Sequence, residues 1–274
     1  TFESGNFGFS SFNSLSLSVY EVCKFLSDSL GSTRGELGIT DKGERNIMKY
    51  GIICAMEEEI KELLDHLDGR QQTSIGGTDF YEGTISNHPV VLVRCGIGKV
   101  QAAITTAFLI VNFKVDAVIN SGSAGGIGEG LQVGELVLST GAAYHDANAT
   151  AFGYKMGQLP QQPQIYQADK SLVAKIGQAA AKTGLKTKKG LIVSGDQFVS
   201  DSHEITRIKK IYPEALCCEM EGGAVAQTAY QFKVPFAIIR AMSDVGDENA
   251  GQSFDEFIID AGRRSAQMLL NFLK

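Results

Sequence analysis

Phe236-Ala237-Ile238-Ile239-Arg240-Ala241-Met242-Ser243-Asp244-Val245-Gly246-Asp247 is an apolar run of strand length that ends in a turn of small residues carrying an acid. Such a turn presents its carboxyl group instead of burying it in the strand. About twenty residues earlier, Glu219-Met220-Glu221 closes another short strand and leads into Gly222-Gly223. Two acid-bearing strand ends can face one cleft in an α/β sheet, where ligands bind beyond the strand ends. The plainer alternative stays open at this level: Asp244 caps the next helix and the Glu pair is solvated surface.

Outward from that stretch, strand and helix alternate. Tyr50 to Ala55 reads as a near-continuous apolar strand and Glu57 to Leu67 as an amphipathic helix. Phe80 to Ile85 and Val90 to Arg94 flank Ser86-Asn87-His88-Pro89, a hairpin signal that brings antiparallel strands into the sheet. Further strands are expected at Ala117 to Gly122, Val133 to Leu138 and Gly190 to Ser194. Helices are expected at Lys99 to about Phe113, Ser171 to Thr183, Asp201 to Ile211 and Gly222 to Phe232. In the last helix Phe254, Phe257, Ile258, Ala261, Met268, Leu269 and Phe272 recur at steps of three and four, one core-facing stripe. Asp146 to Gln167 has no period and reads as a long loop of the kind that serves binding. The fold class is therefore α/β: a single domain with a central mixed β-sheet flanked by helices on both faces.

Composition narrows the function. With 274 residues, 43% of them hydrophobic, the chain can bury a full core. A net charge of −6 and a pI near 5.3 argue against a nucleic-acid surface. Five cysteines without C-x-x-C spacing indicate neither a disulfide framework nor zinc, and four dispersed histidines imply no metal. Reduced thiols fit a cytoplasmic setting. No stretch approaches the roughly 20 apolar residues that cross a bilayer, so no membrane role is expected.

Residues 1–47 differ from the rest and read as an N-terminal extension outside the fold, leaving 48–274 as the working domain. Lys42-Gly43-Glu44 is what a purine-rich ribosome-binding sequence would encode if translated, which makes Met48 the expected natural start. A docking helix around Leu15 to Leu30 is the rival reading.

Three glycine-rich turns are expected to rim the cleft: Cys95 to Lys99, Ser121 to Gly126 and Ser194 to Phe198. Glycine permits close backbone approach, and a helix start offers free N–H donors. None has dinucleotide or P-loop spacing. Glu57-Glu58-Glu59 opens a helix, where dipole complementarity explains Glu57 and Glu58. A carboxylate aimed from this turn into the cleft would repel phosphate and could orient water.

The motifs GIICAMEEE (51–59), GIGKVQAA (96–103), SGSAGG (121–126), YHDANATAFGYKMGQLP (144–160), GLIVSGDQFV (190–199), EMEGGAVAQ (219–227), RAMSDVGD (240–247) and SFDEF (253–257) occur in family order across Met48 to Lys274. Together they resemble the purine nucleoside phosphorylase superfamily and, within it, the bacterial 5′-methylthioadenosine/S-adenosylhomocysteine nucleosidases. The resemblance implies a nucleoside phosphorylase-like fold and cofactor-free hydrolysis of the N-glycosidic bond of those two nucleosides, with 5′-deoxyadenosine as a further substrate. It implies Asp244 as the acid that protonates adenine N7, Ser243 as its orienting partner, and Glu59 as the base that primes water, with Arg240 and Glu219 completing the water's network. Glu221 and the Met220 backbone would clamp the ribose. Phe198 would stack on adenine while Val199 backbone groups read its edge. Ser123, Ala124 and Gly125 would border the nucleoside, with Ala55 beside them, and Met56, Ile97 and Phe254 would surround the 5′ substituent. Phe152 and Pro160 would reach the neighbouring site of a homodimer. The chain departs from the family pattern at Gly222-Gly223, where small or β-branched residues are common. A phosphorylase, a futalosine-type hydrolase of the same fold, and a catalytically silent nucleoside-binding protein are the alternatives.

Overall fold

A computed structural model describes residues 47–245 and 250–274. The expectations for the N-terminal extension, the Met48 start and the docking helix lie outside these residues or at their edge, as does Gly246-Asp247. Ile47–Lys274 forms one compact unit.

The elements alternate largely as the apolar pattern requires. β1 (Tyr50–Cys54) leads to α1 (Glu57–Asp65), then to a meander of β2 (Asp68–Ile75), β3 (Thr78–Ile85) and β4 (His88–Arg94). α2 (Lys99–Val111), β5 (Ala117–Gly126) and β6 (Leu136–Tyr144) follow, and a long loop containing a single 3-10 turn (Thr150–Phe152) ends at β7 (Tyr166–Gln167). The chain closes with α3 (Lys170–Lys182), β8 (Thr187–Ser194), α4 (Ser202–Ile211), β9 (Ala215–Glu219), α5 (Gly222–Phe232), β10 (Phe236–Asp244) and α6 (Ala250–Phe272). The β3–β4 turn places Ser86 and Asn87 at φ 49° and 66°, the two left-handed residues that match the twist of a tight hairpin.

The strands make one mixed sheet. β2, β3 and β4 are antiparallel neighbours, β4 and β5 flank β1 in parallel, and β5 also pairs with β10 and β9. Because β10 continues to β6, β6 to β8 and β8 to β9, the five strands β5, β10, β6, β8 and β9 close a circuit of pairings. β1 and β10 are buried along their whole length, as their unbroken apolar sequence demands of strands covered on both faces. α6 packs with α1 and α3, while α2 packs with α5. Among the described residues no helix is long and apolar enough to cross a membrane.

Four sequence expectations need correction. Ser121 to Gly126 is not a turn but the second half of β5, because β10 and β9 both hydrogen-bond to it and pairing overrides the weak strand preference of glycine and serine. The strand expected at Val133 to Leu138 begins at Leu136 and runs to Tyr144. Asp244 is the last residue of β10, not part of an exposed turn, and is only 1% exposed. β2 was not anticipated; its sequence DGRQQTSI is polar and almost wholly exposed, so it carries no alternation to read.

Candidate active site

One cleft gathers residues from the ends of β1, β5, β8, β9 and β10, and about 600 Å³ of empty space opens there. Its walls hold Ala55, Met56, Glu59, Ile97, Ser123, Ala124, Gly125, Phe198, Val199, Glu219, Met220, Glu221, Ser243, Asp244 and Phe254. Three other expected residues are not on its walls. Arg240 lies behind Glu219, and Phe152 and Pro160 sit exposed in the 146–167 loop. Gln197, from the Ser194 to Phe198 turn expected at the rim, lines the cleft, as does Cys218, which no sequence signal marked.

Glu59 is the third residue of α1, 3% exposed, and its side chain folds back over the helix start. Oε2 accepts from the backbone N–H groups of Ala55 (2.9 Å) and Met56 (3.1 Å), in the manner of a capping box. Oε1 accepts from the N–H of Ser123 (2.9 Å) and lies 3.0 Å from its hydroxyl. Four donors therefore surround one carboxylate. Gly122 makes this possible, since a Cβ there would stand 2.6 Å from Glu59 Oε1.

Asp244 stands at the other end of the same strand segment. The β10–β5 register shifts between Met242 and Asp244, and Asp244 pairs with Gly125; irregularities of this kind re-aim side chains. Ser243 Oγ donates to Asp244 Oδ2 at 2.9 Å, and a Cβ on Gly125 would stand 2.8 Å from Asp244 Oδ1. Glu59 thus abuts Ser123 and Asp244 abuts Gly125, positions separated by roughly 7 Å of strand.

The Glu pair is buried, not solvated. Glu219 takes the N–H groups of Glu221 (3.1 Å) and Gly222 (2.8 Å), the Ser194 hydroxyl and the Arg240 guanidinium. Gly223 N–H donates to Ser194 Oγ at 2.6 Å. The free donors at the start of α5 are thereby satisfied, which lets a helix begin at two glycines. Arg240 also bonds Asn120 Oδ1 at 2.6 Å and lies 3.7 Å from Glu221 Oε2. Burial alone would raise the Glu219 carboxyl, but Arg240 and these hydrogen bonds outweigh it and hold it below the usual range. Removing one side of such a buried pair costs about 3–5 kcal/mol, so Arg240 serves the frame of the site.

Glu221 is different. Its Oε1 accepts from Gly98 N–H at 2.8 Å, yet burial and the neighbouring Glu219 charge push its pKa up to about 8. Between its ordinary value near 4.5 and about 8, the folded protein holds a proton that the unfolded chain has lost, so stability falls as pH rises through that window. We expect the Tm of the wild type to decline relative to Glu221→Gln between pH 5 and 8.5. A gap that does not change with pH contradicts this assignment.

On the remaining wall, Phe198 is 46% exposed and meets Phe254 edge-on at 5.6 Å between ring centres, while Val199 is buried beside it. Lys99 ties their loop down: its N–H donates to Asp196 Oδ1 (2.9 Å) and its ammonium to Asp146 Oδ2 (2.7 Å). Among the described residues no three His, Cys, Asp or Glu side chains gather as a metal ion would require.

The phosphorylase superfamily model matches residues 49–274. The chain belongs to the phosphorylase superfamily. Within the phosphorylase superfamily it is 45% identical to the 5′-methylthioadenosine/S-adenosylhomocysteine nucleosidase of Actinobacillus succinogenes over 226 residues, covering 82% of this chain and 98% of that protein. The crystal structure of the Neisseria meningitidis nucleosidase of the same name, in complex with methylthio-immucillin-A, superposes with a TM-score of 0.82 at 45% identity, covering 83% of this chain and 99% of that one. The futalosine hydrolase of Helicobacter pylori, another fold relative, gives 0.79 at 32% identity, covering 82% and 97%. The mixed sheet and its flanking helices are the architecture of this superfamily.

Proposed function

We propose that the chain hydrolyses the N-glycosidic bond of 5′-methylthioadenosine and S-adenosylhomocysteine, and of 5′-deoxyadenosine, releasing adenine and the 5-thioribose or deoxyribose product. The observation that carries this reading is the placement of Glu59 and Asp244 in one cleft at opposite ends of a short β5 segment. The four donors around Glu59 hold an anion where a phosphorylase would need to admit phosphate, which favours water as nucleophile. Asp244 protonates the departing base at N7, with Ser243 holding its carboxyl. Glu59 deprotonates the entering water, and Glu219, fixed by Arg240, supports that water's side of the cleft. Glu221 and Met220 bind the ribose diol, Phe198 and Val199 the base, and Met56, Ile97 and Phe254 the 5′ thioether. Residues 48–274 are the nucleosidase domain in this reading, acting in the cytoplasm in methionine salvage.

The test is adenine release by the full chain from each thio-nucleoside, with futalosine and adenosine for comparison. The thio-nucleosides should be cleaved fastest; preferential cleavage of futalosine would instead support the second reading, which the Helicobacter pylori relative favours.

Gly122→Ala should lower kcat/KM by about 100-fold without unfolding the protein, because the added methyl displaces the Glu59 carboxylate and a 1 Å misplacement costs about that much. Unchanged kinetics in that variant would count against the role of Glu59.

A homodimer is the proposed assembly, with Phe152 and Pro160 completing the partner's site. Its support is the exposure of Phe152 (81%), of Ile97 just before α2 and of Val100 and Ile104 within it; large apolar side chains left bare mark contact surfaces. Sedimentation should give twice the chain mass, and a fully active monomer would overturn the assembly.

A further inference from the structure

The turn that carries Phe198 is held by residues that do not line the cleft. β6 ends at Tyr144, and the next two residues meet the 194–198 turn one for one. Asp146 Oδ2 accepts from Asp196 N–H at 3.0 Å and from the Lys99 ammonium. His145 is fully buried against Gly195: its N–H donates to the Ser194 carbonyl at 2.9 Å, and a Cβ on Gly195 would stand 2.5 Å from its Nε2. Glycine is what lets an imidazole come so close to the turn's backbone.

The ring is fixed in turn by α4. Arg207 grips His145 twice, Nη1 donating to its carbonyl at 2.9 Å and Nη2 to its Nδ1 at 3.1 Å. A guanidinium has no acceptor, so Nδ1 must receive that hydrogen and the imidazole's own proton sits on Nε2. Glu204 aims the fork, accepting from Arg207 Nε at 2.8 Å, while its Oε1 stays 3.9 Å from Nδ1, too far to bond. Burial, with the Arg207 charge, holds the imidazole below the ordinary histidine range against the opposite pull of Asp146, Glu204 and Glu219. The ring is therefore neutral, as its bond from Arg207 requires. Its Nε2 has no hydrogen-bond partner among the described residues. A buried polar atom kept unpaired calls for a role, and the surface it meets is the Gly195 backbone.

We propose that His145 is a positioning residue for the base site: gripped by Arg207, its ring buttresses Gly195 and sets where Phe198 and Val199 stand against the nucleobase. The inference rests on the assignment of the base to those two residues and adds what holds them there. Phe198 is 46% exposed and its turn belongs to no helix or strand, so the turn takes its support from β6 and α4. A brace of this kind acts equally on bound substrate and on the transition state, so its loss shows in KM and not in kcat.

The experiment uses the full chain, with isothermal titration of adenine for Kd and 5′-methylthioadenosine turnover for KM and kcat. Arg207→Met and His145→Leu should each raise KM and the adenine Kd together by about tenfold, the lower end of what a hydrogen bond to a charged group is worth, and leave kcat within about threefold. His145→Asn, whose side-chain oxygen takes the place of Nδ1 as acceptor, should keep KM and Kd within about twofold of wild type. A loss confined to kcat or to Tm in Arg207→Met, or an equal loss of affinity in His145→Asn and His145→Leu, overturns the brace. An adenine Kd untouched by Phe198→Ala overturns the base assignment and the brace with it. A wild type that binds adenine but releases none from the thio-nucleoside overturns the nucleosidase reading instead, with the brace still decided by Kd.

Discussion

Asp244→Asn is expected to lower kcat for adenine release by about 10²- to 10⁴-fold, the usual worth of a positioned proton donor, while a stable adenosine analogue still binds. The amide preserves shape and keeps an acceptor for Ser243 Oγ, which stands 2.9 Å from Asp244 Oδ2. What it removes is an acidic proton for the base. Adenine leaves poorly as an anion, so the loss should appear in kcat more than in KM, because the missing interaction forms only as the bond breaks. Single-turnover kinetics with isothermal titration of the analogue separates the two. Near-normal turnover in this variant would falsify the acid assignment.

Glu59→Ala should produce a loss of similar size, and here the geometry predicts a remedy. The backbone donors of Ala55, Met56 and Ser123, with the Ser123 hydroxyl, converge on the carboxylate. Truncation leaves these donors aimed at an empty site, and converging N–H groups of this kind bind small anions. Formate should therefore restore part of the activity in a saturable manner, while chloride should not. Glu59→Gln should be no better than alanine and resistant to rescue, because its amide nitrogen would face N–H groups. Absence of any formate effect, with the variant folded, would show that the donors hold the helix start and not a catalytic anion.

The fold was largely legible because the buried strands are apolar along their length and the helices carry clear stripes. It was illegible where pairing, not side chains, decides the outcome. Ser121 to Gly126 consists of serine, glycine and alanine, all poor strand formers, and only β10 along Ser121 to Gly125 and β9 at Gly125 and Gly126, both distant in sequence, make it a strand. β2 lacked any alternation, being a polar ribbon on β3.

The site divides in the same way. Residues at strand ends followed by glycine or a helix start could be located, since topology sends those ends to one cleft. The supporting set could not. Ser194 and Asn120 hold Glu219 and Arg240, and Gly98 N–H holds Glu221. One signal was present: Asn120 interrupts the apolar run Ala117-Val118-Ile119, and a polar side chain fully buried in a strand needs a partner. Cys218 offered no such signal. The Cys218 thiol is buried beside Asp244, and burial and that carboxylate both push its pKa up, so it remains a neutral part of the wall.

The central claim is that Asp244 serves the leaving base and Glu59 the entering water. A p-nitrophenyl 5-thioriboside, whose leaving group needs no proton, separates these tasks. The account predicts that Asp244→Asn, though crippled on 5′-methylthioadenosine, cleaves this substrate within about tenfold of the wild-type rate, well inside the range set by loss of a general acid, and that Glu59→Gln fails on both. Equal impairment of Asp244→Asn on the two substrates would contradict it.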